Sequence, residues 1–183
     1  MSAFELYLSF YGLLLGLSVA QVASGLGHAM VRRRESHIGW LTPLLSLFVL
    51  LDIASFWIWA WNSREVISIN YASIYIGLVI ALAYYLACVL LFPVREADWA
   101  DLDLHYWANK RFVVIGIAVA NAIVIAEAVA RRGSVPFTTT LSWSLQLLYW
   151  LPLLLMFFSR RKLVDSLCLA SLIGTAFVAA LYI

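Results

Sequence analysis

Six long apolar runs are crowded into 183 residues, and that arrangement leaves the chain few folds to choose from. The runs cover 4–31, 38–61, 66–92, 112–130, 137–158 and 163–183. A helix needs about 20 apolar residues to cross about 30 Å of hydrocarbon, and each run is near or above that length. Strands of a membrane barrel would instead alternate apolar and polar residues over about ten positions. Soluble helical folds do not supply six such runs in so short a chain. The expected fold is therefore an all-α integral membrane protein, a bundle of about six transmembrane helices forming one domain over 1–183. Its halves, 1–92 and 112–183, are joined by a linker over 93–111.

Composition agrees. The chain is 64% hydrophobic and 12% charged, whereas ordinary soluble domains are about a quarter charged. Met1-Ser2-Ala3-Phe4-Glu5 lacks the basic start of a secretory signal, so the first run is expected to remain as a span. Cys88 and Cys168 lie inside apolar runs and read as small hydrophobes. No Cys/His spacing suggests a metal site.

The Lys and Arg residues sort by side. Arg32, Arg33, Arg34, Arg95, Lys110, Arg111, Arg160, Arg161 and Lys162 fall on one face of the membrane, and Arg64, Arg131 and Arg132 on the other. The positive-inside rule puts the richer face in the cytoplasm. A multi-pass inner (plasma) membrane protein with both termini outside is expected.

The two halves match at an offset of 100 residues. Leu15-Gly16-Leu17-Ser18-Val19-Ala20-Gln21 pairs with Ile115-Gly116-Ile117-Ala118-Val119-Ala120-Asn121, and Arg32 with Arg132. This is the trace an inverted 3+3 repeat would leave, an architecture that places transporter sites near the midplane.

Asp52 is the foremost candidate for such a site. It stands near the centre of the second run, where an ionisable carboxyl costs about 2.5–3.5 kcal/mol on insertion scales. It must face the bundle interior, a water path or a partner, or else fix helix packing through a hydrogen bond. Gln21, Asn121 and Gln146 also lie at mid-membrane depth and would complete a path for an ion, proton or small solute. As single residues they read equally as interhelical glue. Glu127 and Arg131 are spaced for an i, i+4 pair, and Glu5 and Asp165 for a favourable place at helix N-termini.

Gly12, Gly16, Ala20 and Ser24 recur every fourth residue and end at His28. Small residues at that spacing let helices approach closely, giving a seam within the bundle or between two copies of the chain. The acidic, then aromatic, then basic segment 94–111 reads as an interfacial helix with Trp99, Leu102, Tyr106 and Trp107 toward lipid. Lys110 and Arg111 would then meet anionic headgroups.

The chain also resembles a family of small bacterial six-helix inner-membrane proteins to which no activity is attached. The resemblance rests on Phe56-Trp57-Ile58-Trp59-Ala60-Trp61, on Tyr85-Leu86-Ala87 with Leu91-Phe92-Pro93, and on His105-Tyr106-Trp107-Ala108-Asn109-Lys110-Arg111. It implies a bacterial inner membrane and carries over no site residue.

No phosphate loop, HExxH or Gly-x-Ser-x-Gly motif is present, so no enzyme activity, catalytic residue, metal or other cofactor is expected, and no nucleic-acid partner. The function expected first is a small transporter or channel with Asp52 at its centre. The alternative is a non-transporting sensor or assembly module acting through the 94–111 segment.

Overall fold

The computed structural model describes residues 3–34, 37–64, 70–133 and 137–182. They form six long helices: α1 (Ala3–Val31), α2 (Leu41–Asn62), α3 (Tyr71–Leu90), α4 (Leu102–Arg132), α5 (Thr140–Phe158) and α6 (Lys162–Tyr182). All six are long and apolar enough to span a bilayer. Their outer surface is apolar as well, with Leu13 and Leu147 each 67% and Leu167 72% exposed. In water such a belt would demand a partner, and in lipid it needs none. The protein is an all-α, multi-pass membrane bundle.

Helix ends follow local chemistry. Asn70 and Thr139 each begin a helix with a reciprocal capping box, to Ser73 and Ser142 respectively. In each box, side-chain oxygens satisfy backbone N–H groups that have no partner within the helix. Asp101 caps α4 by accepting from the N–H groups of Asp103 and Leu104 at 2.9 and 3.1 Å. Gly133 ends that helix in the left-handed conformation (φ 68°), which glycine adopts without a Cβ penalty. Pro43 falls in the first turn of α2, where a missing N–H costs nothing. The sequence places the second span three residues too early, and its third span begins within 65–69, outside the described residues.

The helices form a ring in the order α1, α3, α4, α5, α6, α2, with α2 also touching α3 and α4. This makes α2 the most buried of the six. The neighbours are not those of two equivalent halves. A two-fold relation would map the α1–α3 pair onto α4 with α6, yet α4 lies between α3 and α5. The matched glycines differ too. A Cβ on Gly116 would stand 3.1 Å from that of Ala87 in α3, while Gly16 has nothing within 4 Å.

On α1 the stripe that packs inward is Leu8, Tyr11, Leu15, Ser18, Val22, Gly25 and Ala29, not the four-residue ladder. Gly16, Ala20 and Ser24 are exposed, and Gly12 is half-buried beside Trp57. Gly25 accommodates the Phe92 ring, since a Cβ there would lie 2.1 Å from its Cδ2.

The 94–111 segment corrects the sequence reading most. A short 3-10 helix over Glu96–Ala100 is followed at once by α4, which runs unbroken for 31 residues. Trp99, Leu102 and Tyr106 are buried in the core and do not face lipid. Trp99 stacks on Phe92 and lies beside His28 and the Arg32 guanidinium. The backbone of His37 pairs with this segment, donating to Ala100 O at 3.0 Å and accepting from Leu102 N at 3.1 Å. The α1–α2 connection thus clamps the start of α4, and the linker expected over 93–111 shrinks to about half that length.

Candidate functional site

Asp52 lies in the middle of α2, 5% exposed, where α3, α4 and α5 converge on it. Tyr84 from α3 donates to Oδ2 at 2.7 Å, and Asn121 from α4 donates to the same oxygen at 3.1 Å. Tyr149 from α5 donates to Oδ1 at 3.0 Å. Asn121 Nδ2 also meets the Ile117 carbonyl at 3.1 Å, which only accepts, and this fixes which end of the amide faces Asp52. Tyr84 Oη lies 3.1 Å from the same nitrogen, so the two amide hydrogens are shared among three acceptors. Every group around the carboxylate is a neutral donor, and no Lys, Arg or His pairs with Asp52 among the described residues.

A cavity of about 430 Å³ reaches this cluster from the end of the bundle where α2 and α4 finish and α5 begins. Asp52, Asn121 and Tyr149 stand at its floor, and Asn62 and Ser63 near its mouth. Its walls carry the aromatic rings of Phe48, Phe56, Trp59, Phe137 and Trp150, set among aliphatic side chains and the polar Ser55, Gln146 and Thr175. Toward the other end the bundle closes below Asp52, where Leu41, Leu45, Cys88, Leu91 and Val113 are buried. A separate cavity of about 470 Å³ at that end, lined by Arg95, Asp98, Asp101, His105 and Asn109, does not include Asp52.

A second polar cluster lies at that arginine-rich end. Lys110 Nζ donates to Asp165 Oδ2 at 2.5 Å and to the Ser159 carbonyl at 2.6 Å, and Tyr106 Oη donates to the same carboxylate oxygen at 2.9 Å. Lys162 donates to Asp103 at 2.5 Å. Lys110 therefore does not meet lipid headgroups; it is buried against α6. Asp165 does stand in the first turn of α6 as expected, but its charge is met by a lysine of α4. Arg111 is turned toward the Phe157 carbonyl, 3.1 Å away.

Of the residues singled out in the sequence, Asp52 and Asn121 are in direct contact. Gln146 lines the same cavity, where its Oε1 accepts from Trp150 Nε1 at 3.1 Å. Gln21 lies on α1, which packs on α2 and α3, and it does not line the cavity. Glu127 and Arg131 form the pair that their spacing predicts. Tyr84 and Tyr149 were missed, because tyrosine in a membrane sequence reads first as an interfacial anchor. The depth of each residue in its own run was the one available signal.

Compared with known proteins, the chain matches no family model, no curated protein and no solved structure.

Proposed function

We propose that the protein is a small inner-membrane carrier whose central site is the cavity ending at Asp52. The observation that carries this reading is the asymmetry of access. A cavity with room for a small solute leads from one end to a buried carboxylate, whereas the cavity at the other end does not touch that carboxylate and buried side chains lie between. A continuous channel would be open at both ends, whereas a carrier is closed at one end in each of its states. By the positive-inside rule, the arginine distribution supports an open mouth that faces away from the cytoplasm. A docking module acting through 94–111 receives less support, since Trp99 and Tyr106 of that segment are committed to the core.

Flux in proteoliposomes tests the proposal, with protons, sodium, potassium and small organic solutes offered in turn. Wild type should pass at least one of them, Asp52→Asn should abolish that flux, and Asp52→Glu should retain part of it. Flux that Asp52→Asn leaves unchanged, or none under any gradient, refutes the carrier.

A further inference from the structure

The floor and the walls of the cavity together define a class of ligand. We propose that the site binds a protonated amine with an apolar body, its ammonium on Asp52 and its body against the aromatic wall. As a substrate assignment this rests on the carrier reading; as a statement about binding it stands on the geometry alone.

The first argument is charge balance. Three aspartates of the bundle are buried: Asp52, Asp103 and Asp165. Asp103 and Asp165 each have a lysine ammonium at 2.5 Å. Asp52 has three neutral donors and no cationic partner among the described residues. Hydrogen bonds from neutral groups satisfy lone pairs without cancelling charge, and a buried carboxylate either takes up a proton or calls for a counter-ion. A cation entering through the cavity would do for Asp52 what Lys110 does for Asp165.

The second argument is the remaining acceptor capacity. A carboxylate offers about four lone-pair sites. Oδ2 accepts from Tyr84 and Asn121, and Oδ1 accepts from Tyr149 alone. Oδ1 keeps room for one more N–H donor on the side of the cavity that Tyr149 lines.

The third is the nature of the wall. Phe48, Phe56, Trp59, Tyr149 and Trp150 surround the approach to Asp52. Aromatic faces attract ammonium ions, most strongly where water is excluded, and they shelter an apolar body equally well. The volume, about 430 Å³, falls within the range of about 300–1,000 Å³ typical of small-molecule sites. A divalent metal ion is poorly served there: Ca²⁺ and Mg²⁺ take six or more oxygen ligands, and Zn²⁺ takes a set of Cys, His or carboxylate side chains. Among the described residues no three His, Cys, Asp or Glu side chains group together.

The test is equilibrium binding of radiolabelled 2-phenylethylamine to the full chain in lipid nanodiscs. Competitors are the neutral 3-phenylpropan-1-ol, the anionic 3-phenylpropionate, and sodium and potassium chloride. Saturable binding near one amine per chain is expected, with neither aromatic competitor displacing it. Asp52→Asn should weaken binding roughly tenfold or more, as loss of a charge-assisted bond does, while Asp52→Glu retains it. Should Asp52→Asn not fold, Trp59→Leu keeps the carboxylate and should weaken binding severalfold by removing a cation-attracting face. Absence of saturable binding, displacement by the alcohol as effective as by an unlabelled amine, or indifference to both substitutions overturns the proposal. Amine binding without flux in proteoliposomes would uphold this site and remove the carrier. Asp52-dependent flux of an inorganic ion without amine binding would do the reverse.

Discussion

Lys110 Nζ lies 2.5 Å from Asp165 Oδ2, with the two side chains 2% and 0% exposed, so α4 and α6 are joined by a charge pair sealed from solvent. Tyr106 donates to the same Oδ2, the Ser159 carbonyl accepts a second bond from the ammonium, and Asp165 Oδ1 is buried without a partner among the described residues. Desolvation offsets much of the attraction in such a pair, but removing one member strands the other. Lys110→Met or Asp165→Leu alone should therefore destabilise the bundle by about 3–5 kcal/mol. The double variant should recover most of that loss. Thermal unfolding of the four proteins in one detergent checks this; equal losses in single and double variants would show that the pair is not the stabilising unit.

The two tyrosines on Asp52 should differ in what their hydroxyls contribute. Tyr84 is 0% exposed, so Tyr84→Phe leaves an Oδ2 lone pair that no water can reach. Tyr149 lines the cavity, where water replaces the lost donor. Hydrogen bonds between membrane helices are worth about 0.6 kcal/mol on average and up to about 1.7. Tyr84→Phe should sit near the upper figure and Tyr149→Phe near zero, by reversible unfolding in mixed micelles. The opposite order would mean that the cavity does not reach the carboxylate.

Glycines of α1 should separate into costly and neutral positions. Gly25→Ala must displace the Phe92 ring, which stacks on Trp99, and should cost about 1–3 kcal/mol as other overpacked sites do. Gly16→Ala meets nothing within 4 Å and should be neutral in the monomer. If Gly16 faces a second copy of the chain, a cysteine placed there should crosslink in native membranes. No crosslinked dimer would leave the exposed ladder facing lipid.

Orientation is accessible by labelling. With Cys88 and Cys168 replaced by alanine, Asn62→Cys at the cavity mouth should react with a membrane-impermeant maleimide in intact cells. Arg160→Cys at the arginine-rich end should react only after permeabilisation. Reversed labelling would turn the cavity toward the cytoplasm.

Legibility of the sequence varied with the range of the interaction involved. Span number and approximate limits follow from run length alone, because lipid forces each backbone to satisfy its own hydrogen bonds. Asp52 is visible for a related reason: a lone acid in a 22-residue apolar helix must be either paired or used. Its partners are 32, 69 and 97 residues away in the sequence, and no local periodicity points to them. The 94–111 segment misled because its aromatics suit an interface and a core equally. Contacts from outside the segment hold them inward, among them the backbone of His37, the Phe92 ring on Trp99 and Asp165 on Tyr106. The ladder on α1 shows the same limit, since small residues mark a close approach without saying which neighbour approaches.

One rod carries both polar clusters. Lys110 and Asn121 are eleven residues apart in α4, about 16 Å along its axis at about 1.5 Å per residue and, at about 3.6 residues per turn, on nearly the same side. A helix transmits tilt along its length far better than it bends. Any rocking of α4 that shifts the amide against Asp52 must therefore also strain the ammonium against Asp165. A load on the cavity floor and a load on the buried charge pair act on opposite ends of one arm, with the contact of α4 on α3 at Gly116 as the fulcrum.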